Sequence, residues 1–121
     1  MAMRDDSFRF ERMQIWQNAC DVGDLLCTVA DQLSENRLYA FADQLRRAAL
    51  SISNNIAEGS GSSSDKEFAN FLNYARRSTF ECASMVLFFT RKGHIRPEDQ
   101  EHLIPALSDL SKMITSFKRS L

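Results

Sequence analysis

Apolar residues recur at helical spacing in four stretches of the chain, with steps of mostly four and three residues. Such spacing places an apolar set on one face of an α-helix. The sets are Ile15, Val22, Leu26, Val29 and Leu33; Leu38, Phe41, Leu45, Ala48, Ile52 and Ile56; Phe68, Leu72, Ala75, Thr79, Cys82, Val86 and Phe89; and Leu103, Leu107, Leu110, Ile114, Phe117 and Leu121. The pattern predicts helices over residues 11–33, 37–58, 64–92 and 97–120.

No stretch shows the alternation of a β-strand, and the links between the four predicted helices are short. Short links favour antiparallel neighbours. The sequence therefore predicts an all-α protein, an antiparallel up-down four-helix bundle that forms a single domain over residues 1–121.

Several residues are typical of helix ends. Gly59 is expected to cap the second helix in a left-handed conformation, and Gly93 to end the third. Ser64 and Glu67 predict a capping box, and Pro97 suits the first turn of the fourth helix. Pro105 lies inside that helix and lacks an N–H group, so it should either kink or restart the helix.

The second helix carries a polar stripe between two apolar sets, because Tyr39, Leu50 and Ala57 lie beyond it. On the third helix a second apolar stripe includes Tyr74 and Phe88, and Phe80 and Leu87 add a third patch. This is more apolar surface than one small bundle can bury, which predicts a homo-oligomer.

Buried polar groups need partners, so we expect ion pairs between Arg47 and Glu81 and between Glu58 and Arg76 or Arg77. The expected polar network comprises Gln44, Arg47, Ser51, Asn54, Asn55, Glu58, Ser78 and Glu81. It would fix helix register and subunit contacts. The alternative is that part of it lines a pocket or a nucleic-acid surface.

The overall composition indicates a globular protein of 121 residues, 44% hydrophobic and 26% charged. Its net charge of −1 does not indicate nucleic-acid binding. The charge is uneven, because residues 11–35 carry one base and five acids, whereas 37–77 and 91–121 are each mildly basic. No membrane span or signal peptide is evident, so we expect a soluble, cytoplasmic protein.

Residues for catalysis or metal binding are scarce. Cys20, Cys27 and Cys82 form no CxxC pair, and neither His94 nor His102 has a partner at ligand spacing. Neither histidine falls among the stripes, where it could serve a serine or cysteine nucleophile as a base. We expect no metal, no cofactor and no enzymatic activity. A small-ligand sensor is a distant alternative.

Several motifs together resemble a known family. They are Phe10-x-x-Met13-x-Ile15-Trp16-Gln17-x-Ala19; the run from Tyr39 to Gly59, with Gln44-Leu45-Arg46-Arg47-Ala48-Ala49-x-Ser51-Ile52 and Asn55-Ile56-Ala57-Glu58-Gly59; Lys66-Glu67-Phe68; Phe71-Leu72; and Ala75-Arg76-x-Ser78-x-x-Glu81. The chain resembles the bacterial four-helix bundle proteins encoded in intervening sequences of 23S ribosomal RNA genes. Those are similar in turn to the accessory variability protein of diversity-generating retroelements.

The resemblance implies a homopentamer without known catalytic activity. In the retroelement relatives, a basic pentamer surface contacts nucleic acid and a reverse transcriptase. Arg46, Arg47, Arg76 and Arg77 lie in matched motifs, and Arg91 and Lys92 add nearby charge. These six residues are the candidate contacts to structured RNA or DNA. The alternative is a protein-protein interaction scaffold with no nucleic-acid role.

Overall fold

The computed structural model describes residues 4–121 and contains four long helices. A short 3-10 helix spans Arg9–Arg12, and α1 follows over Gln14–Glu35. The other helices are α2 over Tyr39–Ser60, α3 over Asp65–Arg91 and α4 over Pro97–Arg119. Within residues 4–121 there is no β-strand, so the all-α prediction is confirmed. Extended backbone at Met13, with φ −84° and ψ 125°, separates the 3-10 helix from α1.

The helices pack around one apolar core. Helix α1 contacts α2 and α4, and α3 contacts the same two helices. Most of the predicted apolar positions are buried in this core, including Leu26, Ile52, Leu72, Val86 and Ile114, none of which exposes any surface. The periodicity therefore identified the side of each helix that faces the interior.

Phe41 departs from that prediction, because 45% of its surface is exposed. Helix α2 begins at Tyr39, and the fully buried residue of its first turn is Ala42. The Phe41 ring lies at the edge of the core, with its centroid 5.1 Å from that of Phe89.

Gly59 does not cap α2, as the sequence had suggested. The helix continues to Ser60, and Gly59 is buried against α3. A Cβ atom at this position would lie 2.7 Å from Cδ1 of Phe68 and 2.8 Å from Cβ of Phe71. Glycine is therefore required here by the close approach of two helices rather than by a left-handed backbone.

The remaining helix-end predictions agree better with the structure. The hydroxyl of Ser64 accepts a hydrogen bond from the Glu67 backbone N–H at 3.1 Å, and Gly93 has a φ of 81°. Pro97 occupies the first turn of α4. Pro105 lies inside α4, which continues through it, so the helix does not restart there.

Hydrogen bonds join both ends of α1 to α4. The Gln32 amide, near the end of α1, donates to Oδ2 of Asp99 at 2.6 Å, and its carbonyl accepts from the Arg96 backbone N–H at 3.2 Å. Near the start of α1, the Asn18 amide donates to the Met113 sulfur at 3.0 Å. The end of α1 thus lies beside the start of α4, and its start beside the end of α4.

Candidate nucleic-acid interface

The six candidate basic residues do not form one patch on the single chain. Arg46 is paired within its own chain, because its guanidinium donates to Asp31 at 2.8 Å and to Asp43 at 3.2 Å. A further bond of 3.2 Å joins it to the Ser34 hydroxyl. The hydrogen bond to Asp31 raises the pKa of Arg46. Arg46 therefore joins α2 to the acidic α1, and the two carboxylates beside it compete with any phosphate for its guanidinium.

Arg47 and Arg76 also contact their own helices. Nε of Arg47 donates to the backbone carbonyl of Asp43 at 3.4 Å. The Arg76 guanidinium lies 4.7 Å from the centroid of the Phe80 ring. Neither arginine makes an ion pair with any residue between 4 and 121.

The predicted ion pairs are absent from the single chain. Glu81 accepts a hydrogen bond from the Gln44 amide at 3.3 Å instead of pairing with Arg47. Glu58 is exposed and pairs with neither Arg76 nor Arg77 among the residues described. Within one chain these predictions were wrong, because an ion pair between exposed side chains contributes little free energy and so does not fix their positions.

Arg77, Arg91 and Lys92 are exposed on α3 and on the residue that follows it. Arg77, Ser84 and Arg91 recur every seven residues, which places them on one side of a helix. No carboxylate within the described chain lies close enough to pair with any of these three cations. They are the strongest candidates for contacts to an external anion.

Large apolar side chains are exposed on the same helix. Tyr74, Phe80, Leu87 and Phe88 expose 49%, 57%, 42% and 55% of their surfaces. We call the exposed side of α3 that carries Arg77, Arg91 and these four residues the outer face of α3. Cations and aromatic rings together are typical of surfaces that bind nucleic-acid strands.

Part of the expected polar network forms between α2 and α3. The hydroxyl groups of Ser51 and Ser78 share a hydrogen bond of 2.9 Å. The Asn55 amide donates to the Ser51 backbone carbonyl at 2.8 Å and to its hydroxyl at 3.0 Å. Asn54 is exposed and lies outside this cluster.

Two adjoining cavities run along the surface between these helices, and we call them together the α2–α3 cleft. One, of about 450 Å³, is lined by Ala40, Gln44, Arg47, Ala48, Ser51 and Glu81. The other, of about 240 Å³, is lined by Phe41, Gln44, Ser84, Met85, Phe88 and Phe89. Gln44 belongs to both, so the cleft has a polar half and an aromatic half that meet at its side chain.

The sequence reasoning missed a groove between α3 and α4. This α3–α4 groove has a volume of about 550 Å³ and is mostly apolar, with Phe80, Ala83, Leu87 and Ile104 among its lining residues. Phe88 stands on the ridge between groove and cleft and lines both. Ile104 directly follows the core residue Leu103 in the sequence. This additional apolar residue on α4 was the feature of the sequence that could have predicted the groove.

The structure offers no support for a metal or thiol site within residues 4–121. No cluster of three potential metal ligands occurs there. Cys82 is buried, and burial is the largest cause that raises the pKa of its thiol to about 12. Burial also raises the pKa of Cys20, which the neighbouring Asp24 and Asp21 raise further. Both shifts favour the unreactive thiol over the thiolate.

Comparison with known proteins assigns the chain to a family through a family model. A search of curated proteins gives no match. No helix in the part of the chain described has the length and apolar character needed to cross a membrane. The model of the 23S rRNA-intervening sequence protein family matches residues 11–116, which include nearly all of the four helices. The chain therefore belongs to the 23S rRNA-intervening sequence protein family.

Proposed function

We propose that this chain is the non-enzymatic subunit of a homo-oligomer that binds structured RNA or DNA. The observation that carries the proposal is the outer face of α3, where Arg77 and Arg91 are exposed together with the rings of Tyr74 and Phe88. The cations would contact the phosphates of a strand, and unpaired bases would stack on the aromatic rings. Neither histidine lines the α2–α3 cleft, so the serine–histidine pair of nucleophilic catalysis is not formed there.

Assembly would compensate for the weak charge of one subunit. The net charge of the chain is −1, and α1 carries four acidic residues and no basic one. A ring of subunits repeats Arg77, Arg91 and Lys92 around one surface, so several cations reach one phosphate backbone together. The resemblance noted above implies five copies.

The α3–α4 groove supports self-association. Neighbouring exposed apolar side chains mark interaction surfaces, and a second copy would bury Phe80 and Leu87, which leaves Tyr74 and Phe88 of the outer face to the nucleic acid. The antiparallel up-down arrangement is part of the same proposal. It is supported by the bonds from Gln32 to Asp99 and from Asn18 to Met113, which join opposite ends of α1 and α4.

A mobility-shift titration with structured RNA and DNA at two salt concentrations tests the proposal. We expect binding that weakens as salt rises, because cations that contact phosphates release counterions. Arg77→Glu combined with Arg91→Glu should abolish binding. The matched control is Lys112→Glu combined with Lys118→Glu, which changes the net charge equally but on α4. No binding at low salt, or binding indifferent to salt, contradicts the proposal.

The apolar α3–α4 groove also favours a second candidate, a scaffold that docks another protein. A pull-down from nuclease-treated lysate distinguishes the two. One stoichiometric partner protein, together with no salt-dependent nucleic-acid binding, would favour the scaffold.

A further inference from the structure

We propose that the α2–α3 cleft binds an unpaired guanine base of a nucleic-acid strand, an inference that rests on the proposed function. The aromatic half of the cleft would stack the base, and Glu81 would accept hydrogen bonds from its edge. The cleft would then be the part of the surface that distinguishes one base from another.

Three phenylalanines form the aromatic half. Phe89, which is 5% exposed, lies between Phe41 and Phe88, and each outer ring has its centroid 5.1 Å from that of Phe89. The Phe88 ring stands perpendicular to Phe89, with an interplanar angle of 89°. The buried ring fixes the two exposed ones, so the platform is formed before a base arrives.

The polar half provides one carboxylate, one amide and one guanidinium. Oε2 of Glu81 accepts from the Gln44 amide at 3.3 Å, while Oε1 accepts no hydrogen bond from any residue the structure describes. Arg47 lines the same cavity, with no carboxylate partner in residues 4–121. A ligand can therefore donate to Glu81 and accept from Arg47.

Guanine fits this set of groups better than the other bases do. Its Watson–Crick edge carries two adjacent donors, the N1–H and the N2 amino group, beside the O6 acceptor. A carboxylate can accept both donors, and an arginine can donate to O6. Adenine and cytosine each carry only one exocyclic amino donor there, and uracil carries a single N–H between two acceptors. An acceptor facing Glu81 would be repelled.

The cations near the aromatic half suit the phosphates of the same strand. Arg91 and Lys92 follow Phe88 by about one helical turn and are exposed. A nucleotide whose base rests on Phe88 would place its neighbouring phosphates close to them. A base within a duplex cannot stack on a side chain in this way, so the cleft selects unpaired nucleotides.

Fluorescence anisotropy with labelled single-stranded RNA tests the inference. The probes are a decamer of uridine and the same decamer with one central guanosine. We expect the guanosine to increase affinity about tenfold, the discrimination typical of a bidentate contact. Inosine in its place lacks the N2 amino group and should lose most of that gain. Free GMP should compete only at much higher concentration, because it lacks the neighbouring phosphates.

Two variants complete the test. Glu81→Gln leaves one acceptor oxygen for the two donors of guanine and removes the negative charge, so it should remove most of the preference without abolishing binding to uridine. Glu67→Gln, which removes another exposed carboxylate of α3, should leave the preference unchanged. Equal affinity of the wild type for both decamers overturns the inference and leaves the proposed function intact. Loss of binding to every RNA and DNA tested overturns both.

Discussion

Gly59 shows how a single atom determines how closely two helices approach. Its backbone contacts Phe68 and Phe71 of α3 where any side chain would overlap them. Phe68 is itself held in place, because it is 3% exposed and its ring packs 5.5 Å from that of Phe117. Phe68 therefore cannot move aside to make room for an added methyl group at residue 59.

Gly59→Ala should therefore lower the free energy of unfolding by about 1–3 kcal/mol, as overpacking of a core does. Urea denaturation measures this. Gly23→Ala is the matched control, because it lies inside α1 with no atom within 4 Å of the added Cβ. That change should raise stability by about 0.5–1 kcal/mol, since alanine favours helices over glycine. Equal effects of the two substitutions would contradict the steric explanation.

The three cysteines should react with thiol reagents in an order set by exposure and pKa. Cys27 is exposed, whereas burial raises the pKa of Cys82 to about 12, which leaves almost no thiolate at pH 8. We expect mass spectrometry after iodoacetamide treatment to find Cys27 modified first, Cys20 more slowly and Cys82 only on unfolding. Modification of Cys82 at the rate of Cys27 in the native protein would show that the α3 core is open.

The helices themselves could be predicted because each carries its own set of apolar residues at helical spacing. Such a set can be recognised without knowing which helices lie beside it. Partners across helices could not be predicted in the same way. Whether Arg46 meets Asp31 or another acid depends on the rotation and offset of α1 against α2, which periodicity leaves undetermined. The role of Gly59 was missed for the same reason, since the atoms that require it belong to α3.

Helix α4 accommodates Pro105 without a break, at the cost of one backbone hydrogen bond to Glu101. The residue is exposed, so alanine would fit and would restore the bond. Pro105→Ala should raise the free energy of unfolding by about 1–2 kcal/mol, the gain in helix propensity reduced by a more flexible unfolded chain.

Thermal denaturation followed by circular dichroism provides the measurement for Pro105→Ala. Asp109→Ala, at an exposed position in the same helix, should change stability by no more than about 0.5 kcal/mol. A loss of stability in Pro105→Ala would show that the proline supports packing instead of only being tolerated.

At the scale of the whole molecule, the α3–α4 groove and the α2–α3 cleft have separate proposed roles. We assign the apolar groove to another copy of the chain and the mixed cleft to a nucleic-acid strand. The sequence indicated the excess of apolar residues on α2 and α3 but not their division between a groove and a cleft. That division depends on which side of α3 each neighbouring helix occupies.

Multi-angle light scattering of the full chain at micromolar concentration tests whether the functional unit is a homo-oligomer. We expect a mass several times the 13.8 kDa of one chain. Leu87→Asp, in the groove, should lower the mass toward that of one chain because it buries a charge in the contact. Leu25→Asp, which changes a leucine of α1 with a similar exposure of 37%, should not. A wild-type mass of 13.8 kDa would contradict the account.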